Sequence, residues 1–329
     1  IFMRYIRQEI FKEIGKKGQE KLGKSIVAVV GLGALGSNSA ELLARAGIGK
    51  LILIDRDIIE LSNLQRQSLF NESDVGKPKA IQAKEHLRKT NSEIKIIPII
   101  DDLNFENINK IFNDKLDLIL DCTDNLETRF LINDFSIKNN ITFIYSSAVG
   151  SKGYVFSIIP NKTPCLRCFL KEAAQLDTCE TVGVLNTITK IISSMQSNEA
   201  IKILLNKINF EKNLLFFDVW KNELSKINVK KNENCICCIK NNFEYLKGKK
   251  SSRIIKLCGD NIYQIKTKNI GKKQFNTLKN KLKKIVKVID FGYCINFDNK
   301  ITIFQDGRAL IKAINQKEAK SLYSKFVGN

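Results

Sequence analysis

A chain of 329 residues, 43% hydrophobic and 27% charged, can build one large domain and a small one, and four prolines with 18 glycines exclude a collagenous or low-complexity chain. One histidine, His86, leaves no second imidazole for Ser-His-Asp or Cys-His chemistry and excludes a polyhistidine metal centre. No stretch approaches the ~18 apolar residues of a membrane span, and Met3-Arg4-Tyr5-Ile6 is no signal-peptide core, so the expected protein avoids membranes and is cytoplasmic.

In chain order, Ser25–Val30 is a β-branched run that stops at Gly31-Leu-Gly33-Ala34-Leu-Gly36. A helix is predicted from Ser37 to Ala46, then a buried strand Leu51–Ile54 ending in Asp55. Strand, glycine turn, helix, strand and acid in that order indicate a nucleotide-binding fold, with the helix N-terminus facing a phosphate. His86 falls in a helix after Gly76-Lys-Pro-Lys79, where packing or a surface role is expected. The alternation continues with a strand over 94–100, a helix over 104–113, a strand 116–120 ending in Asp121, a helix over 125–139, and strands over 141–145 and 154–159. A long helix over 184–205 and a strand over 214–219 follow. The pattern predicts a doubly wound, mostly parallel Rossmann-like sheet with an antiparallel addition. A lysine-rich linker near 247–252 sets off a small α+β piece patterned strand, helix, strand, strand, helix. The expected division is 1–246 and 247–329.

Cations follow the acid of the second strand closely. Arg66 stands in Leu61-Ser62-Asn63-Leu64-Gln65-Arg66-Gln67, and Lys79 closes the GKPK segment. Such a pairing suits a triphosphate better than a dinucleotide. Asp124, in Asp121-Cys-Thr-Asp124-Asn125, lies at a strand's carboxyl end, where a carboxylate can hold Mg²⁺. The bland alternative is surface salt bridging on an NAD-type oxidoreductase. That class would usually show a proton-transferring His or Lys-Tyr unit and would lack the NLQRQ segment.

These motifs, with Arg4-Tyr-Ile-Arg7-Gln8 at the start, resemble the adenylyltransferases that activate ubiquitin-like sulfur carriers: the ThiF, MoeB and HesA proteins, with ubiquitin-activating enzymes more distant. The resemblance covers residues 4–240. It implies ATP and Mg²⁺ as cofactors, and a nucleotide site built from Gly31, Gly33, Ala34, Gly36, Asp55, Asp57, Ser62, Asn63, Leu64, Gln65, Arg66, Lys79, Asp124 and Asn125. Within it Asp55 would take the ribose, Asn63 and Arg66 the phosphates, Lys79 the phosphate charge, and Asp124 the metal. Arg7 would reach the neighbouring subunit's phosphates in a homodimer. The family's second adjacent glycine is here Ala34, which keeps the N–H and adds a methyl. The implied partners are a small sulfur carrier and a persulfide sulfur donor, with no nucleic acid. The thiamine-pathway carrier is the expected substrate, with the molybdopterin type and a peptide-adenylating relative as alternatives.

The nine cysteines sort into classes. Cys165-Leu-Arg-Cys168 and Cys235-Ile-Cys237-Cys238 form two CxxC pairs, which together make a closed tetrahedral Zn²⁺ site and leave Cys237 spare. Cys122, Cys258 and Cys294 are expected to pack. Cys179 matches the thiol that, in some members of the resembled family, takes the carrier or sulfur covalently. Finally, charge is uneven: from Lys221 onward 25 basic residues face 8 acidic ones, against 29 and 26 before it. Lysine-rich composition throughout the chain accounts for this first, and an acidic protein or nucleic acid partner second.

Overall fold

Strands β1 (Ile26–Val30), β2 (Lys50–Ile54) and β4 (Leu118–Asp121) are nearly all apolar because both faces of their sheet are covered. With β3 (Lys95–Ile99), β5 (Phe143–Val149), β6 (Lys152–Ile158), β7 (Leu214–Asp218) and β8 (Glu223–Ile227) they form one sheet in the order β3-β2-β1-β4-β5-β6-β7-β8. The first five in that order run parallel and the rest antiparallel. The computed structural model describes residues 3–112, 115–171, 182–206, 211–250, 254–256, 261–265, 271–298, 300–305 and 307–327.

The period of two along each strand sends alternate residues into two cores. Val27, Val29, Leu51 and Leu53 pack with Leu43, Leu87 and Ile192 from the helices Gly36–Ala46, Lys79–Thr90 and Asn186–Leu204. Ala28, Val30, Ile52 and Ile54 face the other layer, where Phe130 and Phe135 of the helix Leu126–Asn139 meet Cys165, Cys235 and Tyr245. The cysteine-bearing segments therefore cover one side of the sheet.

The chain divides into two compact units, Ile1–Ser251 and Ser252–Asn329. The second unit departs from the expected pattern. Six strands replace three: β9 (Ile254–Lys256), β10 (Ile262–Ile265), β11 (Val288–Asp290), β12 (Cys294–Phe297), β13 (Ile301–Phe304) and β14 (Ala309–Lys312). They form an antiparallel sheet in the order β11-β12-β13-β14-β10-β9, packed with the helices Gly271–Leu282 and Gln316–Phe326. The helix expected over 104–113 shrinks to Ile108–Ile111, because the side chains of Asn104 and Asn107 accept turn hydrogen bonds from the amides of Glu106 and Asn104. No helix among the described residues is long and apolar enough to cross a membrane.

Candidate nucleotide site and zinc centre

The sheet order reverses between β2-β1 and β4, so a crevice opens at the carboxyl ends of β1 and β4. Gly31 begins it with φ +86°, and a Cβ there would lie 2.7 Å from the Cys122 carbonyl oxygen. At Gly36 a Cβ would come within 1.8 Å of the Gly31 oxygen. Both glycines are demanded by backbone packing. Gly33 is different: a Cβ would meet nothing nearer than the Gln67 Nε2, at 3.9 Å. Space is kept above it that the protein does not fill. The amides of Gly33, Ala34 and Leu35 donate to no group among the described residues, and they precede the helix Gly36–Ala46. Free N–H groups at a helix start are an anion site. Accordingly, Gly36→Ala should fail to fold normally, since overpacking into fixed backbone costs about 1–3 kcal/mol or more. Gly33→Ala should keep the wild-type thermal midpoint yet weaken ATP binding, as calorimetric titration would show.

The carboxylates and cations expected from sequence converge on this crevice. Asp55 at the end of β2 is buried, and its two oxygens accept from the Leu32 amide at 2.5 Å and the Asp57 amide at 2.7 Å. Burial pushes its pKa above the usual carboxylate range, against the pull of Lys79. It thus shapes the glycine loop as well as offering lone pairs to a ribose. Lys79 is also buried, with Nζ 3.4 Å from Asp57 Oδ2. Burial opposes its charge, but Asp57, Asp55, Asp124 and Glu60 outweigh that and raise its pKa. Arg66 is half-buried, its guanidinium donating to the Ser62 carbonyl at 3.0 Å. Its neighbour Gln67 is the side chain nearest Gly33.

Ser62 and Gln65 are exposed and Leu64 packs toward the core, while the Asn63 Oδ1 caps its own turn by accepting from the Glu60 amide at 3.3 Å. Asp124 is exposed and its carboxylate accepts no hydrogen bond among the described residues, a hard oxygen donor of the kind Mg²⁺ takes. Asn125 caps the helix Leu126–Asn139 through Oδ1, and its buried Nδ2 has no hydrogen-bond partner.

Other residues of the crevice hold its walls. Arg56 pairs with Asp102 at 2.9 Å, and Arg129 lies 3.9 Å from Asp121 and stacks on Tyr145. Gln196, fully buried, donates to the carbonyls of Asp121 and Ile144 and accepts from Ser39 and Cys122. It joins the central strands to two helices, and sequence reading missed it. Its signal was a glutamine on the face shared by Ile192 and Ala200, where a buried amide must find partners. Burial pushes the Cys122 thiol up to about 12, so Cys122 packs and does not react. His86 lies 2.7 Å from Asp74, a structural contact. Cys294 is buried. Cys179 and Cys258 lie outside the described residues.

Arg7 is not brought to the crevice by its own chain. It is exposed on the short helix Ile6–Ile10. That helix is anchored at the opposite end of the strands: Gln8 donates to the Ala46 carbonyl, and Asn91 to the Tyr5 hydroxyl. Ala46 precedes β2 and Asn91 precedes β3, so both mark the strands' amino ends, a strand length of roughly 16 Å from the glycine loop.

On the other face, the Sγ atoms of Cys165, Cys168, Cys235 and Cys238 all lie within 4.8 Å of one another. Neighbouring sulfurs are 3.6–3.9 Å apart. A tetrahedron with Zn–S near 2.3 Å has edges of about 3.8 Å. Burial, then contact with Cys168, pushes the Cys238 thiol up to about 12, so a nearby cation would be needed to ionise it. Cys237 is fully buried and instead accepts from Asn133 Nδ2 at 3.2 Å. The cysteine-bearing layer meets the helix Leu126–Asn139 at Asn133 and Asp134, roughly 12 Å along the helix from Asn125.

The ThiF family profile matches residues 5–237. The chain belongs to the ThiF family. Among its ThiF relatives, the sulfur carrier protein ThiS adenylyltransferase of Bacillus subtilis (strain 168) is 38% identical over 99% of both chains. The SAMP-activating enzyme E1 of Haloferax volcanii is 35% identical over 65% of this chain and 80% of its own. The solved structure of E. coli MccB with MccA-N7isoAsn shares the fold, with a TM-score of 0.64 at 24% identity over 71% of this chain and 74% of that one.

Proposed function

We propose that this ThiF-family chain adenylates the C-terminal carboxylate of a small ubiquitin-like sulfur carrier of the ThiS type, preparing it for thiocarboxylate formation. The observation that carries this reading is the extent of the likeness to the ThiS adenylyltransferase. It runs through the C-terminal unit, whereas the likeness to the SAMP-activating enzyme stops at about two thirds of the chain. A molybdopterin-type carrier fits less well for the same reason.

The site's charge balance supports the chemistry. A carrier carboxylate oxygen attacks the α-phosphorus of ATP, the bond from that phosphorus to the bridging oxygen breaks, and pyrophosphate leaves. The attacking group is already ionised at neutral pH, so no general base is required and the absence of histidine from the site is no obstacle. Positioning and neutralisation are what the protein must supply. Arg56 pairs with Asp102, Arg129 with Asp121 and Lys79 with Asp57, so a phosphate would compete with Asp57 for Lys79 and would meet Arg66, which pairs with no acid among the described residues. One chain alone undercompensates a triphosphate. Asp124 is the residue to hold Mg²⁺, which would offset phosphate charge. Arg7, held far from its own crevice, is the cation to complete a partner's site in a homodimer. AMP would then be displaced from the acyl carbon, either by the Cys179 thiolate, giving a carrier thioester, or by the terminal sulfur of an external persulfide donor, giving an acyl disulfide. The described cysteines are free, which suits a reducing cytoplasmic compartment.

Two experiments check this reading. Pyrophosphate–ATP exchange should depend on a ThiS-type carrier and vanish with a carrier lacking its terminal glycine; equal exchange without carrier would contradict it. For the shared site, Arg7→Ala and Asp124→Ala proteins, each inactive alone, should recover activity on co-expression, because one composite site of a mixed dimer is intact. Mixed dimers without activity would return Arg7 to its own subunit or to no role.

A further inference from the structure

The helix Asn186–Leu204 carries a line of polar side chains at three-residue spacing, Lys190, Ser193 and Gln196, along the side that meets the glycine-loop helix Gly36–Ala46. Gln196 accepts from the Ser39 hydroxyl, and Ser193 donates to the Leu35 carbonyl. Lys190 ends the line. Its ammonium donates to Asn38 Oδ1 at 2.6 Å and also to the Ser68 hydroxyl. Ser68 in turn donates to Asn38 Oδ1 at 3.0 Å, and Asn38 Nδ2 donates to the Ala34 carbonyl at 2.7 Å. Two hydrogen bonds and one carboxamide therefore separate the Lys190 ammonium from the glycine loop, a span of at most about 8 Å.

A lysine-rich composition places lysines anywhere on a surface, loose in water or against a carboxylate. Lys190 is neither. Both of its partners are neutral, no carboxylate pairs with it among the described residues, and its third N–H is unused there. Fixing so long a side chain sacrifices rotamer freedom, and a neutral donor would tie the same segments together without a charge. The position gives the charge a use. Ala34 is the middle of three residues whose amides are free at the helix start, and Ser68 continues the segment that carries Arg66 and Gln67. A cation about 10 Å from a bound polyphosphate stabilises it without touching it, less so as salt rises. We propose that Lys190 is a third cation of the nucleotide site, acting through its field on the polyphosphate end of ATP, with Asn38 and Ser68 holding it in place. This inference rests on the ATP-dependent function proposed above and does not depend on which carrier is used.

The test uses the full-length chain as Lys190→Met, Lys190→Gln and Lys190→Arg, with Lys89→Gln in the last turn of the helix Lys79–Thr90 as a control for bulk charge. Calorimetric titration with ATP and Mg²⁺, and with adenosine, at low and high salt reads binding without a carrier. Lys190→Met and Lys190→Gln should each raise the ATP Kd by about three- to tenfold at low salt and flatten its salt dependence, while the adenosine Kd holds. Lys190→Arg keeps the charge and should stay within about twofold of wild type. Lys89→Gln should change neither constant. In carrier-dependent exchange the ATP KM should rise with the Kd, and kcat at saturating ATP should hold. Wild-type ATP affinity in Lys190→Gln, or a loss shared equally by ATP and adenosine, would make Lys190 a structural tie and overturn the proposal while the adenylation reading stands. An equal loss in Lys89→Gln would overturn it as well, by assigning the effect to net charge. A wild-type chain that binds no ATP removes both readings.

Discussion

Replacing Lys79 by alanine is expected to lower carrier-dependent pyrophosphate exchange by about 10²–10³-fold, the effect of removing one positioned charge contact from a developing transition state. The structure makes this residue hard to substitute. Its ammonium is buried at the start of the helix Lys79–Thr90, beside Asp57 and under the influence of Asp55, Asp124 and Glu60. In the proposed reaction a phosphate would draw Lys79 away from Asp57, leaving the carboxylates around it to face a metal and the ribose. Without it, those carboxylates face a polyanion. Lys79→Arg should not restore the rate, because a forked guanidinium is larger than the ammonium buried beside Asp57. Thermal midpoints recorded in parallel separate this loss from misfolding: the expected variant keeps its fold and loses exchange. Near-normal exchange in Lys79→Ala would remove the residue from the site.

The second large effect is on stability. Cys235→Ser should bind no zinc and should lose on the order of 4 kcal/mol, the range reached when a structural metal is lost. For a unit of this size that is a fall of about 10 °C in Tm. The reason lies in the core: Cys165 and Cys235 are buried members of the layer that covers Ala28, Val30, Ile52 and Ile54. Without a metal to tie the four thiols together, that cover would be freed. Cys237→Ala is the control, since Cys237 lies within the same segment but contacts Asn133. It should retain one zinc per chain with a modest loss of stability from the vacated volume. Full zinc in Cys235→Ser, or none in Cys237→Ala, would reverse the assignment of ligands.

How far such features could be read beforehand depended on how strongly each residue was constrained. β1, β2 and β4 were legible because continuous apolar runs end abruptly in Gly31, Asp55 or Asp121 at the crevice. The paired CxxC spacing was legible because two thiolates three residues apart converge on one ion without help from the rest of the fold. β8 was not: Glu-Leu-Ser-Lys-Ile is an edge strand exposed along its whole length, so burial left no pattern in it. The C-terminal strands are three or four residues long, below the span over which a period of two can be recognised. The short helices Ile6–Ile10 and Gly15–Leu22 bury just Gln19 and Leu22 between them, and hydrogen bonds from Gln8 and Gln19 to the Ala46 carbonyl hold them in place. Polar anchoring of that kind has no apolar signature. The same holds for Gln196, whose role exists once the helix Asn186–Leu204 is laid across β4 and β5.

The most direct measurement is the mass of the carrier itself. A ThiS-type carrier incubated with this chain, ATP and Mg²⁺, with pyrophosphatase present and no sulfur donor, should gain one AMP at its C-terminal glycine, as intact-protein and fragment mass spectra would show. The Lys79→Ala chain should leave the carrier unmodified. A carrier that stays at its original mass with the wild-type chain, or an AMP found anywhere but the terminal carboxylate, would contradict the adenylation of a sulfur carrier.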